Sequence, residues 1–277
     1  MHCFAAAKLA WTNRTRKAYS VRVATGMTTD AESKGEPTSE ERYNWPKMTK
    51  WCLLLTATTN VTVDLRSTSY GKGQQRDARE RQQMYSGVLK HWLQKYPTLP
   101  IALVENSGDN LAWANEVAAL ANASARLELL SIGQAKRCKM DEIGCPEADA
   151  VLRSLRASNL FTTRRCTYVL KVTGRYAITS DIDAALRGCK HGWDIAVQNS
   201  TWGDARNNMV GTQVLGFRAA LSEQLFGWSQ AGSQACQECH VNAWVAAHPE
   251  ARVCRLPQLS VRPVREGSTG VMRTSVR

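Results

Sequence analysis

Apolar residues along this chain fall into short unbroken runs that alternate with stretches of helical period. The runs WCLLLT (51–56), IALVEN (101–106), LELLSI (127–132), TYVLKV (167–172), WDIAVQN (193–199), Thr212–Phe217 and RVCRLP (252–257) have the length of buried strands. From Asp77 to Tyr96 the apolar positions Met84, Val88, Leu89, Trp92 and Leu93 recur at helical spacing, and Pro97 and Pro100 end the run. Further helical stretches cover 110–123, Glu147–Ala157 behind Pro146, Ile182–Leu186, Arg218–Phe226 and Glu238–Ala247. Strands that are apolar throughout and separated by helices predict a three-layer α/β/α fold with a mainly parallel or mixed sheet. Right-handed crossovers then gather the loops that follow the strands on one edge, where such sheets bind ligands. On that edge the sequence places TATTN, VENSG and KVTGRY, all unusually polar.

The ends of the chain are of a different character. Residues 1–50 read as a basic arm and a polar, Pro/Gly-punctuated linker, 51–265 as the folded domain, and 266–277 as a flexible basic tail. Of the formal charge of +12, residues 1–29 carry +5 and residues 251–277 another +5, which leaves about +2 on the rest. A nucleic-acid-binding domain more often carries its positive field on the folded body, so nucleic acid is not the expected partner. The acid-free, Arg/Lys-containing start resembles an organellar targeting segment. No apolar run is long enough to span a membrane as written, so a Golgi location would require a start other than this one. Nine cysteines spread through a large chain are expected mainly as reduced, buried thiols, with room for a bridge or two. Sequons for N-glycosylation begin at Asn13, Asn60, Asn122 and Asn199, and carry meaning only if the chain enters the secretory route.

The polar loops hold the candidate chemistry. In KVTGRY, Lys171 and Arg175 offer cationic donors for phosphate oxygens, Thr173 and Tyr176 add hydroxyls, and Gly174 permits close backbone approach. The competing reading pairs Arg175 with a carboxylate such as Glu105 to tie two loops together. Glu105 and Asn106 could read a base or ribose, although Asn-Ser-Gly is also a good turn. Asp181 and Asp183 in SDID look like the Asp-x-Asp that holds Mn2+ or Mg2+ on a sugar diphosphate, yet the same residues make a helix cap. Asp194 and Asp204 are isolated further candidates. CQECH (236–240) matches the c-type haem pattern, which we read as coincidence, while Glu238 within it stands where a general base could act. Arg79, Arg81 and Tyr85 serve either a phosphate or a solvated helix face. No nucleophile elbow, Walker loop or Gly-x-Gly-x-x-Gly is present.

Taken in order from about residue 51 to 270, these segments resemble a poorly characterised glycosyltransferase-like family with the nucleotide-diphospho-sugar transferase (GT-A type) fold. The resemblance is carried by LLLTATT (53–59), Arg81 with Tyr85, VENSG, PEADAVLRSLRAS (146–158), YVLKVTGRY (168–176), NNMVGTQVLGFRAAL (207–221), Glu238 and LPQLSVRPVREGSTG (256–270). It implies that KVTGRY takes the place of the usual Asp-x-Asp, with Lys171 and Arg175 meeting the diphosphate directly. It also implies donor contacts at Thr56, Glu105, Asn106, Glu147, Thr173 and Gly174. One departure is IGCPEA, which keeps Glu147 but lacks the lysine that relatives tend to carry before it; Lys136, Arg137 and Lys139 lie nearby.

The function this implies is transfer of a sugar from a nucleoside diphosphate to an acceptor hydroxyl. Arg175 and Lys171 would stabilise the departing diphosphate, with or without Mn2+ or Mg2+, and Glu238 would take the acceptor proton. The alternatives are a catalytically silent scaffold of the same fold and an RNA-associated protein that uses its basic ends.

Overall fold

The protein is described here by a computed structural model, which covers residues 51–60, 77–133, 138, 144–163, 166–189, 192–199, 210–231, 237–257 and 259–263. The basic arm, the linker and the tail lie outside these residues, as do Asp204, Lys136, Arg137 and Lys139. The described residues all fall within one compact unit, Thr49–Arg277.

Seven strands form the main sheet: β1 (Trp51–Ala57), β2 (Ile101–Glu105), β3 (Leu127–Ser131), β4 (Tyr168–Thr173), β6 (Ile195–Asn199), β7 (Val210–Arg218) and β8 (Val253–Leu256). Their order is β3-β2-β1-β4-β7-β6-β8. β3, β2, β1 and β4 run parallel, β7 is antiparallel to both neighbours, and β6 and β8 are again parallel. The sheet is therefore mixed but mainly parallel, as its apolar strands predict. A small second pair, β5 (Tyr176–Ile178) with β9 (Val261–Pro263), is antiparallel. Three residues are too few to give a periodic signal, and the sequence reading had no strand at either place.

Among the described residues seven α-helices accompany the strands: α1 (Ala78–Lys95), α2 (Ala112–Leu120), α3 (Gly144–Ala157), α4 (Asn159–Thr162), α5 (Ile182–Arg187), α6 (Ser222–Phe226) and α7 (Gln237–Ala247). Alternate residues of β1 show why there are three layers. Cys52 and Leu54 belong to a core with Ala148, Val151 and Leu152 of α3, Phe226 of α6 and Val241 of α7. Leu53 and Leu55 point to the other face, where Val88, Leu89 and Trp92 of α1 are completely buried. Helix α1 starts where Asp77 accepts a hydrogen bond from the Glu80 amide at 2.7 Å. At its other end Lys95 donates to the carbonyls of Ile178, Thr179 and Ser180.

The cysteines depart from expectation. Disulfides join Cys52 to Cys166, Cys138 to Cys145 and Cys189 to Cys254, with Cα–Cα separations of 5.6, 5.6 and 5.5 Å. Cys239 is also disulfide-bonded. The reading of reduced thiols is thus corrected. Cys52 and Cys166 do sit in the core as expected, but the parallel pairing of β1 with β4 brings them together across 114 residues. Composition carries no trace of that pairing. Among the described residues no helix is long and apolar enough to cross a membrane.

Candidate active site

β1, β2 and β4 end on one rim of the sheet, and β7, running the other way, begins there. The first turns of α3 and α7 meet the same rim and contribute Glu147 and Glu238. Glu147 is the hub. One of its carboxylate oxygens, Oε1, accepts from Thr56 Oγ1 at 2.6 Å, from Thr173 Oγ1 at 3.0 Å and from Lys171 Nζ at 2.8 Å. Lys171 also donates to the Thr212 carbonyl at 2.8 Å and to Thr173 Oγ1 at 3.2 Å. Thr212 in turn donates its hydroxyl to Glu238 Oε1 at 2.5 Å. A continuous polar chain therefore runs Thr56–Glu147–Lys171–Thr212–Glu238 beneath the rim.

Thr212 can join two partners because the β6–β7 ladder is interrupted. Val197 pairs with Leu215, yet the next residue, Gln198, pairs with Gly211. Thr212, Gln213 and Val214 thus bulge out of register with β6, and the β4 ladder stops at Val214. Released from both ladders, the Thr212 carbonyl faces Lys171; bulges beside functional sites commonly re-aim groups in this way. Sequence reading missed Thr212 because its carbonyl is a backbone group common to every residue type.

Electrostatics follow from this geometry. Partial burial disfavours the Glu147 charge, but the Lys171 ammonium, together with the hydrogen bonds from Lys171, Thr56 and Thr173, outweighs it. The carboxyl is held below the usual carboxylate range. Lys171 itself is completely buried. Its three N–H groups are matched by Glu147, Thr212 and Thr173. Rather than standing open at the rim, Lys171 neutralises Glu147 and ties β7 to β4.

Glu105 is likewise completely buried. It accepts from the amides of Thr59 (2.9 Å), Ser107 (3.0 Å) and Asp109 (2.8 Å), and from the Ser107 hydroxyl. With both oxygens occupied it orders the loops after β1 and β2, and it does not pair with Arg175. Asn106 accepts from the Thr58 hydroxyl at 2.7 Å and donates to the Pro146 carbonyl at 3.3 Å, which ties β1 to the start of α3.

Gly174 is needed for contact with β1. Its amide donates to the Thr56 carbonyl at 2.8 Å, and a Cβ there would lie 2.5 Å from that oxygen. We expect Gly174→Ala to destabilise the protein by about 1–3 kcal/mol, since backbone stands on both sides of the clash. Thermal unfolding reads this directly, and an unchanged midpoint would refute the contact. Next to it Arg175 is half-buried with its guanidinium 5.3 Å from the centre of the Tyr176 ring. It follows β4 directly on the rim that carries Thr56 and Glu147.

Arg81 and Tyr85 also belong to this rim, while Arg79 is exposed. Arg81 is buried and donates to the Thr58 carbonyl at 2.7 Å; the Tyr85 hydroxyl accepts from the Thr58 amide at 3.1 Å. Neither the solvated-face reading nor an open phosphate site describes Arg81, which straps the end of β1 to α1.

The remaining candidates lie elsewhere. Asp181 caps α5, and Asp183 accepts from Trp51 Nε1 at 3.2 Å, at the amino end of β1 and so on the opposite edge from Thr56. Asp194 pairs with Arg218 and Arg252. Among the described residues no group of three or more His, Cys, Asp and Glu side chains could hold a metal ion. In CQECH, Cys239 is oxidised and His240 stacks on Trp228 with centroids 4.2 Å apart, where burial pushes it down to about 4.

No family model matches this sequence, and no curated protein matches it. Solved structures do. A cytidylyltransferase of Leptospira borgpetersenii serovar Hardjo-bovis is 13% identical, with 80% of this chain and 79% of that one covered and a TM-score of 0.44. The glycosyltransferase GlyE of Streptococcus pneumoniae TIGR4 is 11% identical over 75% of this chain and 46% of its own, at 0.46. A nucleoside-diphosphate-sugar pyrophosphorylase of Vibrio cholerae RC9 is 8% identical over 74% and 91%, at 0.45. These likenesses concern the arrangement of strands and helices, and no residue role is taken from them.

Proposed function

We propose that the rim binds a nucleoside-diphosphate sugar and transfers the sugar to an acceptor hydroxyl. The observation that carries this reading is the polar chain that links Glu238 to Glu147 through Thr212 and Lys171, on the rim where Arg175 emerges. Glu238 has one oxygen occupied by Thr212 and none of its remaining capacity used by the described residues. Half-buried at the first turn of α7, it would accept the proton of an attacking hydroxyl. The bond from the anomeric carbon to the diphosphate oxygen breaks as the acceptor oxygen bonds to that carbon. Arg175 supplies positive charge for the diphosphate that leaves. Glu147 and Lys171 neutralise one another below the rim, so neither competes for the donor. Arg175 is the cation assigned to the diphosphate, with or without Mn2+ or Mg2+ beside it.

Donor screening tests this. Uridine and guanosine diphosphates and their sugars, with and without manganese, are expected to raise the melting temperature. Arg175→Ala should abolish most of that rise. Glu238→Gln should keep it while lowering turnover by about 100- to 10,000-fold. An unshifted melting point with every donor would refute the reading. A second reading, a silent scaffold that binds donor without turnover, draws on the internal neutralisation of Lys171. A rise in melting temperature with no turnover in the unaltered protein would select it.

A further inference from the structure

We infer that Asn122 is a site of N-linked glycosylation and that the protein matures in an oxidising, luminal compartment. Two independent observations meet here. The first is the disulfide set. Three bridges join described cysteines and Cys239 is bonded as well, so seven of the nine cysteines are accounted for as oxidised. Structural bridges of this number persist in secretory compartments and are rare where thiols are kept reduced. The condition that makes the sequons meaningful is therefore met.

The second is the local structure at Asn122-Ala123-Ser124. Asn122 follows the end of α2 in the left-handed region, with φ of 47°, and its amide donates to the Ala119 carbonyl at 3.1 Å. Asn122 and Ser124 are both exposed, as are Ala119, Ala121 and Ala125 around them. The turn is lined by small exposed residues, which leaves room for a bulky glycan on Asn122. Leu120, two residues away, is 84% exposed, the exposed large apolar side chain among the described residues. An N-acetylglucosamine on Asn122 would lie beside it and cover apolar surface otherwise left to water. The turn leads into Leu127, which pairs with the first residue of β2, so it lies at the amino ends of the strands. A glycan there is on the opposite edge from Glu147 and Glu238 and leaves the candidate active site open.

The transfer balances with a lipid-linked diphospho-oligosaccharide as co-reactant. The Asn122 side-chain nitrogen bonds to the anomeric carbon of the first sugar, the bond from that carbon to the diphosphate breaks, the amide proton passes to a base and the lipid diphosphate leaves. This proposal is independent of whether the rim transfers sugars.

The test uses the full chain isolated from cells that carry it through their secretory route. Peptide N-glycosidase in heavy-oxygen water should convert Asn122 to labelled aspartate, and mass spectrometry should locate the label. Ser124→Ala should remove one glycan's mobility shift without altering the melting temperature, because Ser124 makes no contact needed by the turn. Ser124→Thr should retain the glycan. Alkylation in denaturant without reduction should leave Cys52, Cys166, Cys189 and Cys254 unmodified. Unmodified Asn122 in protein whose bridges have formed would overturn the site, and full alkylation without reduction would overturn the compartment.

Discussion

Glu147→Ala is expected to cost about 3–5 kcal/mol of folding stability, more than Lys171→Met, and the double variant is expected to recover much of the loss. The asymmetry comes from burial. Lys171 is completely buried, whereas the Glu147 side chain is 24% exposed. Removing the carboxylate strands an ammonium where no water can reach it, and breaking one partner of such a pair is strongly destabilising. Removing the ammonium leaves a carboxylate that still accepts from Thr56 and Thr173 and can be hydrated from its open side. Denaturant titrations of the two single variants and the double variant give the coupling energy. Equal losses in the two single variants would show that water reaches Lys171. The pair also sets an acid limit. Its folded-state carboxyl is held below the unfolded value, so its contribution is fully present above about pH 4.3 and is lost as pH falls below it. Lys171→Met should flatten that part of the stability profile.

The second large effect is expected from the Cys52–Cys166 bridge. Its sequence separation is 114 residues, against 65 for Cys189–Cys254 and 7 for Cys138–Cys145. Loop entropy alone then predicts costs of about 5, 4 and 2.5 kcal/mol respectively when each pair is replaced by alanine. For Cys52 and Cys166 a further loss follows, because both side chains are buried in the core and alanines leave a void. The midpoint of urea unfolding should fall in that order. If the seven-residue bridge proves as costly as the long one, constraint of the unfolded chain is not what these bridges contribute.

Much of the framework can be read from the residues themselves. The seven strands of the main sheet and the longer helices lie where runs of apolar residues and helical periods put them. Met84, Val88, Leu89, Trp92 and Leu93 are all buried along α1 as their spacing requires. The direction of β7 is not readable in this way. Its residues are as apolar as those of a parallel strand, and only the connections around it decide which way it runs. The site was legible in part for the same reason. Thr56, Glu147, Thr173 and Glu238 stand at element ends, where a polar residue beside an apolar run draws attention. Lys171 has the same sequence signal as a rim cation, but it is buried and pairs with Glu147. Whether a lysine in a strand faces a ligand or a buried carboxylate depends on a partner 24 residues earlier in the chain, which no local pattern reveals. Arg175 was legible too, because it follows the apolar run of β4 directly and so falls on the rim.

The interruption in β7 has a consequence for how relatives of this chain would diverge. Thr212 reaches Lys171 and Glu238 because three residues stand where a regular ladder would accommodate fewer. Loss of a residue there would draw the strand taut and return the carbonyl to its neighbour, with every named side chain of the site still present. A descendant could therefore lose the link between Lys171 and Glu238 through a change in spacing alone, and a comparison that scores only which letters are retained would count it as intact.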